Sequence, residues 1–254
     1  MRRLLPDPAP LDDDALVEAY RLPPGRSLRV NFIASPDGAT TVGGKSEGLG
    51  SPGDRRVFRV LRALADVVLV GHGTASAEGY RPVLPGSAVG RLRESIGRPP
   101  TAPVAVVTRR ASLDPASALV TGAVSPTLVV TCAAAAPDRR AALAAAGAEV
   151  LVCGDDDVEL PAALSALADR GLAQVTCEGG PQLLRSALAA GVVDELDLSV
   201  APALVGGETR LLDAALPAPV RLELRQLLEE DGMLFARYAV EPEGRQPSSS
   251  AGGR

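Results

Sequence analysis

Glu178 stands at the end of an apolar run, residues 173–177, and is followed at once by Gly179, Gly180 and Pro181. A carboxylate at a strand end does little for the strand and is well placed to meet a ligand hydroxyl or to exchange a proton. Two glycines let a ligand approach the backbone closely. A proline in the first helical turn leaves free amides from Gly179 through Gln182 and Leu183, a setting that suits a phosphate or pyrophosphate. An ordinary tight connection between strand and helix would read the same way. Gly71-His72-Gly73-Thr74 offers a second close-approach turn, in which Thr74 either caps the following segment or bonds a phosphate. It matches the dinucleotide fingerprint GxGxxG only in part. Ser76 replaces the third glycine, and no acidic strand end follows about 20 residues later.

Other residue groupings carry weaker signals. Residues 39–46, ATTVGGKS, come within one residue of the phosphate loop GxxxxGK[ST], but a helix must begin at its Lys-Ser and EGLGSPG follows instead. Thr108-Arg109-Arg110 closes another apolar run. The arginine pair is either a solvated loop or a clamp for an adenosine 2′-phosphate. Arg55, Arg59 and Arg62 share one helical face, as a wet surface or as a phosphate contact. Cys132, Cys153 and Cys177 are far apart and read as reduced core thiols. With His72 as the single histidine, no metal site is expected, and His72 reads as a loop residue near the ligand.

These residues need a scaffold, and the chain supplies one. Strands are expected at 28–34, 66–71, 102–108, 127–132, 149–153 and 173–177. A long polar loop covers 35–53, and Val57, Val60, Leu61 and Leu64 mark an amphipathic helix over 54–65. A shorter helix falls near 88–96. Helices at 137–147, 161–171 and 181–191 are each opened by proline and closed by glycine. Strand and helix alternate, which implies parallel pairing through right-handed crossovers. The end differs: strands at 195–201, 221–229 and 233–240 have no helix between them, and Asp231-Gly232 signals a hairpin. The expected fold class is α/β, a mixed and mostly parallel central sheet flanked by helices with a C-terminal antiparallel hairpin. Residues 1–26, with a short helix at 12–20, read as an arm packed on a single domain at 27–240, and 241–254 reads as a disordered tail.

With 254 residues, 46% of them hydrophobic, the chain can bury a substantial core. A net charge of −5 and only 2% aromatic residues give neither the basic field nor the stacking surface of a nucleic-acid binder. No apolar run reaches the roughly 20 residues of a membrane span, and prolines and acids break the N-terminus where a signal peptide would be apolar, so a cytoplasmic location is expected.

The segments NFIASPDG (31–38), KSEGLGSPGDRRVFRVLR (45–62), ADVVLVGHGT (65–74), EGGPQLL (178–184) and VDELDLSVAPALVGG (193–207), in this order, resemble the pyrimidine reductase of riboflavin biosynthesis, in its stand-alone form. The resemblance implies a dihydrofolate-reductase-like fold and NADPH-dependent reduction of a phosphorylated ribosylaminopyrimidine to its ribityl form. It places Ser46, Arg62 and Glu178 at the substrate, with Ser46 and Arg62 on polar or phosphate oxygens, and Glu78 and Arg81 on the substrate side. It places Ala34, Thr74, Thr108 and the turn 180–186, with Gly180, Pro181, Gln182 and Leu183, at the cofactor, where the motifs themselves add Gly71, Arg109 and Gly179, and it places Asp37 near the site. Glu178 and Lys45, the single lysine, are candidate proton donors. The family is often dimeric, and the apolar strands near the C-terminus offer a homodimer interface. The chain departs from the family at Glu78, at Gly79-Tyr80-Arg81-Pro82 and at Pro36, all on the substrate side. It lacks the H-x-E and P-C-x-x-C signature of the deaminase that bifunctional relatives carry. Reduction of a pterin such as dihydrofolate, or NADPH binding without turnover, are the competing expectations.

Overall fold

The computed structural model describes residues 1–207 and 209–241. In chain order the elements are β1 (Arg2–Leu5), β2 (Ala9–Pro10), α1 (Asp13–Tyr20), β3 (Ser27–Ala34), α2 (Pro52–Leu64), β4 (Val67–Gly71), α3 (His72–Ala77), α4 (Ala88–Ser95), β5 (Val104–Val107), α5 (Ala118–Thr121), β6 (Leu128–Thr131), α6 (Pro137–Ala145), β7 (Glu149–Val152), α7 (Leu160–Ala168), β8 (Gln174–Cys177), α8 (Pro181–Ala189), β9 (Glu195–Val200), β10 (Leu222–Glu230) and β11 (Met233–Val240). All strands belong to one sheet in the order β2-β1-β10-β11-β9-β3-β8-β4-β5-β6-β7. From β9 to β7 the pairing is parallel, and from β9 outward through β11, β10, β1 and β2 it is antiparallel.

Alternation along the strands divides the interior. Val30, Val67, Leu69 and Val130 face α7 and α8, meeting Leu167 and Leu184, whereas Val68, Val70, Val106 and Val129 face Leu119 of α5 and Leu143 of α6. A further cluster joins Leu16 and Tyr20 of α1, Val57 and Leu61 of α2, and Phe235 of β11. Helix α2 starts earlier than the periodicity predicts, because Ser51 accepts a bond from Asp54 N (3.1 Å) and Pro52 takes the first turn. Gly53 lies in that turn for want of room: a Cβ there would sit 3.1 Å from Phe235. No α-helix begins at Lys45-Ser46. Val42 and Lys45 pair as a small bridge and Ser46–Leu49 forms a single 3₁₀ turn, so the near-phosphate loop is a rim structure.

Gly71-His72-Gly73-Thr74 differs from the expected loop: β4 runs directly into α3, and His72 opens that helix with Nε2 3.4 Å from Ser76 Oγ. Residues 1–26 do more than pack as an arm. β1 pairs with β10 and β2 with β1, which extends the sheet past the hairpin, and α1 is capped by Asp12, whose Oδ1 accepts from Ala15 N at 2.8 Å. The Asp231-Gly232 turn has both residues in the left-handed region (φ 53° and 80°), as a tight hairpin between β10 and β11 requires. Of the expected tail, residues 242–254 lie outside the described residues.

One buried charge cluster underlies α1. Arg29 donates to Glu195 Oε1 (2.6 Å) and to the Tyr20 carbonyl (2.7 Å), and Arg237 donates to Glu195 Oε2 (2.6 Å) and the Ala19 carbonyl (2.8 Å). Asp197 lies 3.0 Å from Arg29 Nε, but that N–H is directed to Glu195, and neither Asp197 oxygen has a hydrogen bond. Burial, assisted by the Glu195 charge and opposed by the two arginines, pushes the Asp197 carboxyl up to about 7. The folded protein thus keeps a proton that the unfolded chain releases near 3.8, so this stabilising contribution is complete below about pH 4 and is lost as pH rises to about 7. Asp197→Asn is expected to flatten the pH dependence of unfolding free energy across that interval. Urea titrations in which wild type and variant run parallel would contradict the assignment.

Candidate active site

Because β3, β8, β4 and β5 are parallel neighbours, their carboxyl ends share one edge of the sheet, where α/β proteins place their ligands. A cavity of about 680 Å³ opens there. Asn31 and Phe32 of β3 and Glu178 after β8 line it, α2 and the 78–83 strap wall it, and the 40–47 rim and Gly180 complete it.

Glu178 is buried, with its side chain only 3% exposed, and both its carboxylate oxygens accept hydrogen bonds. Arg62 Nε donates to Oε1 and Arg62 Nη2 to Oε2, both at 2.7 Å, in a bidentate pair, and Tyr80 donates its hydroxyl to Oε2 at 2.6 Å. The Arg62 guanidinium lies over the Phe58 ring (4.3 Å) and the Tyr80 ring (5.1 Å). Burial alone would lower the Arg62 pKa, but the Glu178 carboxylate outweighs it and holds the guanidinium charged. Burial and then the Glu178 charge raise the Tyr80 hydroxyl well above its usual value, so Tyr80 remains a donor. A carboxylate accepting three such bonds is arranged as an acceptor. In these contacts Glu178 accepts every bond and donates none.

The cofactor-type corner adjoins this floor. Gly71 N–H donates to the Gly179 carbonyl (2.7 Å), and Glu178 N–H to the Leu69 carbonyl (2.9 Å), which ties β4 to the turn after β8. Gly179 has φ +77°, and a Cβ on it would fall 2.4 Å from Phe32 Cζ; a Cβ on Gly180 would fall 2.5 Å from Thr74 Oγ1. Leu184 N–H makes the first α8 bond, to the Gly180 carbonyl, which leaves the Gln182 and Leu183 amides at the open helix end beside Pro181. Thr74, Gly180 and Pro181 line the cavity. Ala34 is buried at the end of β3, its carbonyl accepting from Ala201 N at 2.8 Å.

Other expected residues lie elsewhere. Thr108 and Arg109 follow β5, beside β4 but outside the cavity. The Thr108 hydroxyl accepts from Ser112 N (2.9 Å) and Arg109 Nε donates to the Asp156 carbonyl (2.8 Å). Asp37 does not reach the cavity. Its carboxylate accepts from Ser35 Oγ (2.6 Å), Gly206 N (2.7 Å) and Val205 N (3.3 Å), bonds that hold it down to about 2, so it latches the 205–206 loop as a permanent anion. Lys45 is exposed on the rim, with its backbone paired to Val42, and does not line the cavity; nor does His72. Ser46 and Glu78 do line it, and they bond each other, Ser46 N donating to Glu78 Oε1 at 2.9 Å.

Sequence reasoning passed over Tyr80 as a site residue, and also Phe58 and Asp54, whereas Arg55, weighed there as a wet surface or a phosphate contact, does line the cavity. Asp54 lines the cavity, and burial raises its carboxyl above the ordinary value although Ser199 and Arg55 pull the other way. Its place beside the arginine row of α2 was the available signal.

An α/β reductase domain of dihydrofolate-reductase-like topology is what the sheet order and this corner define, and comparisons with known proteins agree. The model of the RibD C-terminal domain matches residues 26–232, and the chain belongs to that family. The 2,5-diamino-6-ribosylamino-4(3H)-pyrimidinone 5′-phosphate reductase of Methanothermobacter thermautotrophicus is 32% identical over 83% of this chain and 96% of its own length. The reductase of the same name from Archaeoglobus fulgidus is 30% identical over 70% of this chain and 81% of its own. A solved pyrimidine reductase-like protein from Corynebacterium diphtheriae superposes with a TM-score of 0.75 at 30% identity, covering 86% of this chain and 93% of that one.

Tyr80→Phe removes one of the three donors to Glu178 and is expected to lower stability by about 1–2 kcal/mol. Chemical denaturation of the purified variant checks this; an unchanged midpoint would mean that the hydroxyl is not bonded.

Proposed function

We propose that this chain reduces the ribosyl side chain of a phosphorylated ribosylaminopyrimidine to the ribityl chain with NADPH, working in the cytoplasm as a homodimer. The observation that carries the reading is the junction of the fixed Glu178 acceptor with the Gly180–Thr74 corner inside one cavity. Gly180 and Thr74 pack together at the cavity wall where a Cβ would not fit, and the amides at the α8 N-terminus suit a pyrophosphate, so this corner fits the cofactor. Bound NADPH would supply the hydride.

The chain's own residues do the rest. Glu178, held by Arg62 and Tyr80, would accept from substrate hydroxyl or amino groups and so fix the sugar end of the substrate in the cavity. Reduction of the ring-opened imine also requires a proton on nitrogen. Asp54 fits this role because it lines the cavity and its burial favours the protonated form. The dimer reading draws on β10: β1 covers only its Leu227–Glu229 side, and Leu222 and Leu224 are exposed. Three free buried cysteines support a reducing compartment.

Spectrophotometric NADPH oxidation with the phosphorylated ribosylaminopyrimidine, and separately with dihydrofolate, tests the reading. Turnover of the pyrimidine is expected, and turnover of the pterin alone would replace the proposal. Gly180→Asp places a carboxylate where the pyrophosphate would lie and is expected to weaken NADPH binding at least tenfold by titration; equal affinity removes the turn from the site. Asp54→Asn is expected to lower kcat about 10²-fold or more. Because the donor must carry its proton, wild-type kcat should fall as pH rises through the raised Asp54 pKa, and this limb should vanish in Asp54→Asn.

A further inference from the structure

One row of side chains crosses the sheet on the side of α1 and α2. Asn31 of β3 is in register with Asp197 of β9, and Glu178 follows Cys177, the β8 partner of Val30, so it flanks Asn31 on the other side. Side chains in register on neighbouring strands share a face and stand about 5 Å apart. Glu178 is engaged by Arg62 and Tyr80. Asp197 is 2% exposed, neither of its oxygens has a hydrogen bond, and the arginines beside it direct theirs to Glu195 and to the Tyr20 and Ala19 carbonyls. A buried carboxyl without a partner is costly. Asn31, the only asparagine of the chain, lines the cavity, and among the described residues its amide has no hydrogen-bond partner either. A turn of the Asn31 side chain brings these two unpartnered groups together.

We infer that Asp197 is a positioning residue for Asn31, holding its amide and deciding which end of it, N–H or carbonyl, meets a ligand in the cavity. An amide has a donor end and an acceptor end, and a carboxyl selects between them by its own proton. Protonated Asp197 donates to Asn31 Oδ1, which leaves the amide N–H for Glu178 or for a ligand carbonyl. Ionised Asp197 releases its proton to solvent, accepts from Asn31 Nδ2 and turns Oδ1 toward the cavity. The charged and titratable groups acting on Asp197 are Arg29 from β3, Glu195 on its own strand, Arg237 from β11 and Tyr20 from α1, and with burial they set the change at about pH 7. That the N–H end reads a pyrimidinone carbonyl rests on the proposed substrate class. The coupling of Asp197 to Asn31 does not.

Because Asn31 is the single asparagine, isotopic labelling of asparagine alone gives one side-chain amide signal in the NMR spectrum of the whole chain. Between about pH 5 and about pH 9 that signal is expected to titrate in wild type and in Asp54→Ser, and to stay flat in Asp197→Ser, a change that adds no second asparagine. A wild-type signal that does not titrate, one that titrates equally in Asp197→Ser, or one that is lost only in Asp54→Ser overturns the inference. Equilibrium titration with the phosphorylated ribosylaminopyrimidine, without NADPH, reads the consequence for the ligand. Its dissociation constant should weaken from the acid to the alkaline end by a factor about fivefold larger in wild type than in Asp197→Ser, a comparison in which the ligand phosphate's own titration cancels. Equal factors overturn the inference as well. Should no variant and no wild type bind the pyrimidine, the proposed reaction fails, and the amide signal alone decides the coupling.

Discussion

The bidentate pair between Arg62 and Glu178 is the constraint on which the site depends. It joins residues 116 positions apart, one in the last turn of α2 and the other just past β8. A buried carboxylate without it would be strongly unfavourable, so the helix cannot shift without breaking the pair. The constraint closes into a ring. Arg93 of α4 donates to the Ala63 carbonyl (3.1 Å) and the Ala65 carbonyl, capping the end of α2 that carries Arg62. From α4 the chain leads back through the strap to Tyr80, whose hydroxyl returns to Glu178. Strand end, helix, second helix and strap each hold the next, so polar contacts fix the cavity walls.

Much of the scaffold was legible because its signals are local. Proline-opened, glycine-closed helices, a period of 3.6 in α2 and apolar runs ending at small residues each depend on a few neighbouring positions, and α6, α7, α8 and the parallel strands lie where those signals put them. What the sequence concealed was decided by distant partners. β1 and β2 are short and partly polar, and they become strands only because the edge of β10 accepts β1 and β1 in turn accepts β2. Gly71-His72-Gly73-Thr74 looks like a loop by composition, yet β4 delivers it straight into α3.

The site was legible to the same degree. Glu178 and its glycines announced themselves by breaking the rules for a strand end. The function of each side chain did not follow from its identity. Asp37 and Glu178 are both acids beside a turn, but one is captured by Ser35 and the 205–206 amides outside the cavity, the other by Arg62 and Tyr80 within it. Tyr80 lies in a stretch that departs from the family pattern, so resemblance gave it no role, although it bonds the central carboxylate.

The charges are also layered. At the floor, Arg62 and Glu178 pair and a neutral tyrosine hydroxyl completes the set. Positive potential remains in two other places: the open amides of α8, which make no salt bridge, and the unpaired guanidinium groups of Arg55 and Arg81 toward solvent. The polar groups at the cavity floor are thus satisfied by one another, and the charge that the protein leaves uncompensated lies at the α8 end and on the cavity's arginine-bearing wall.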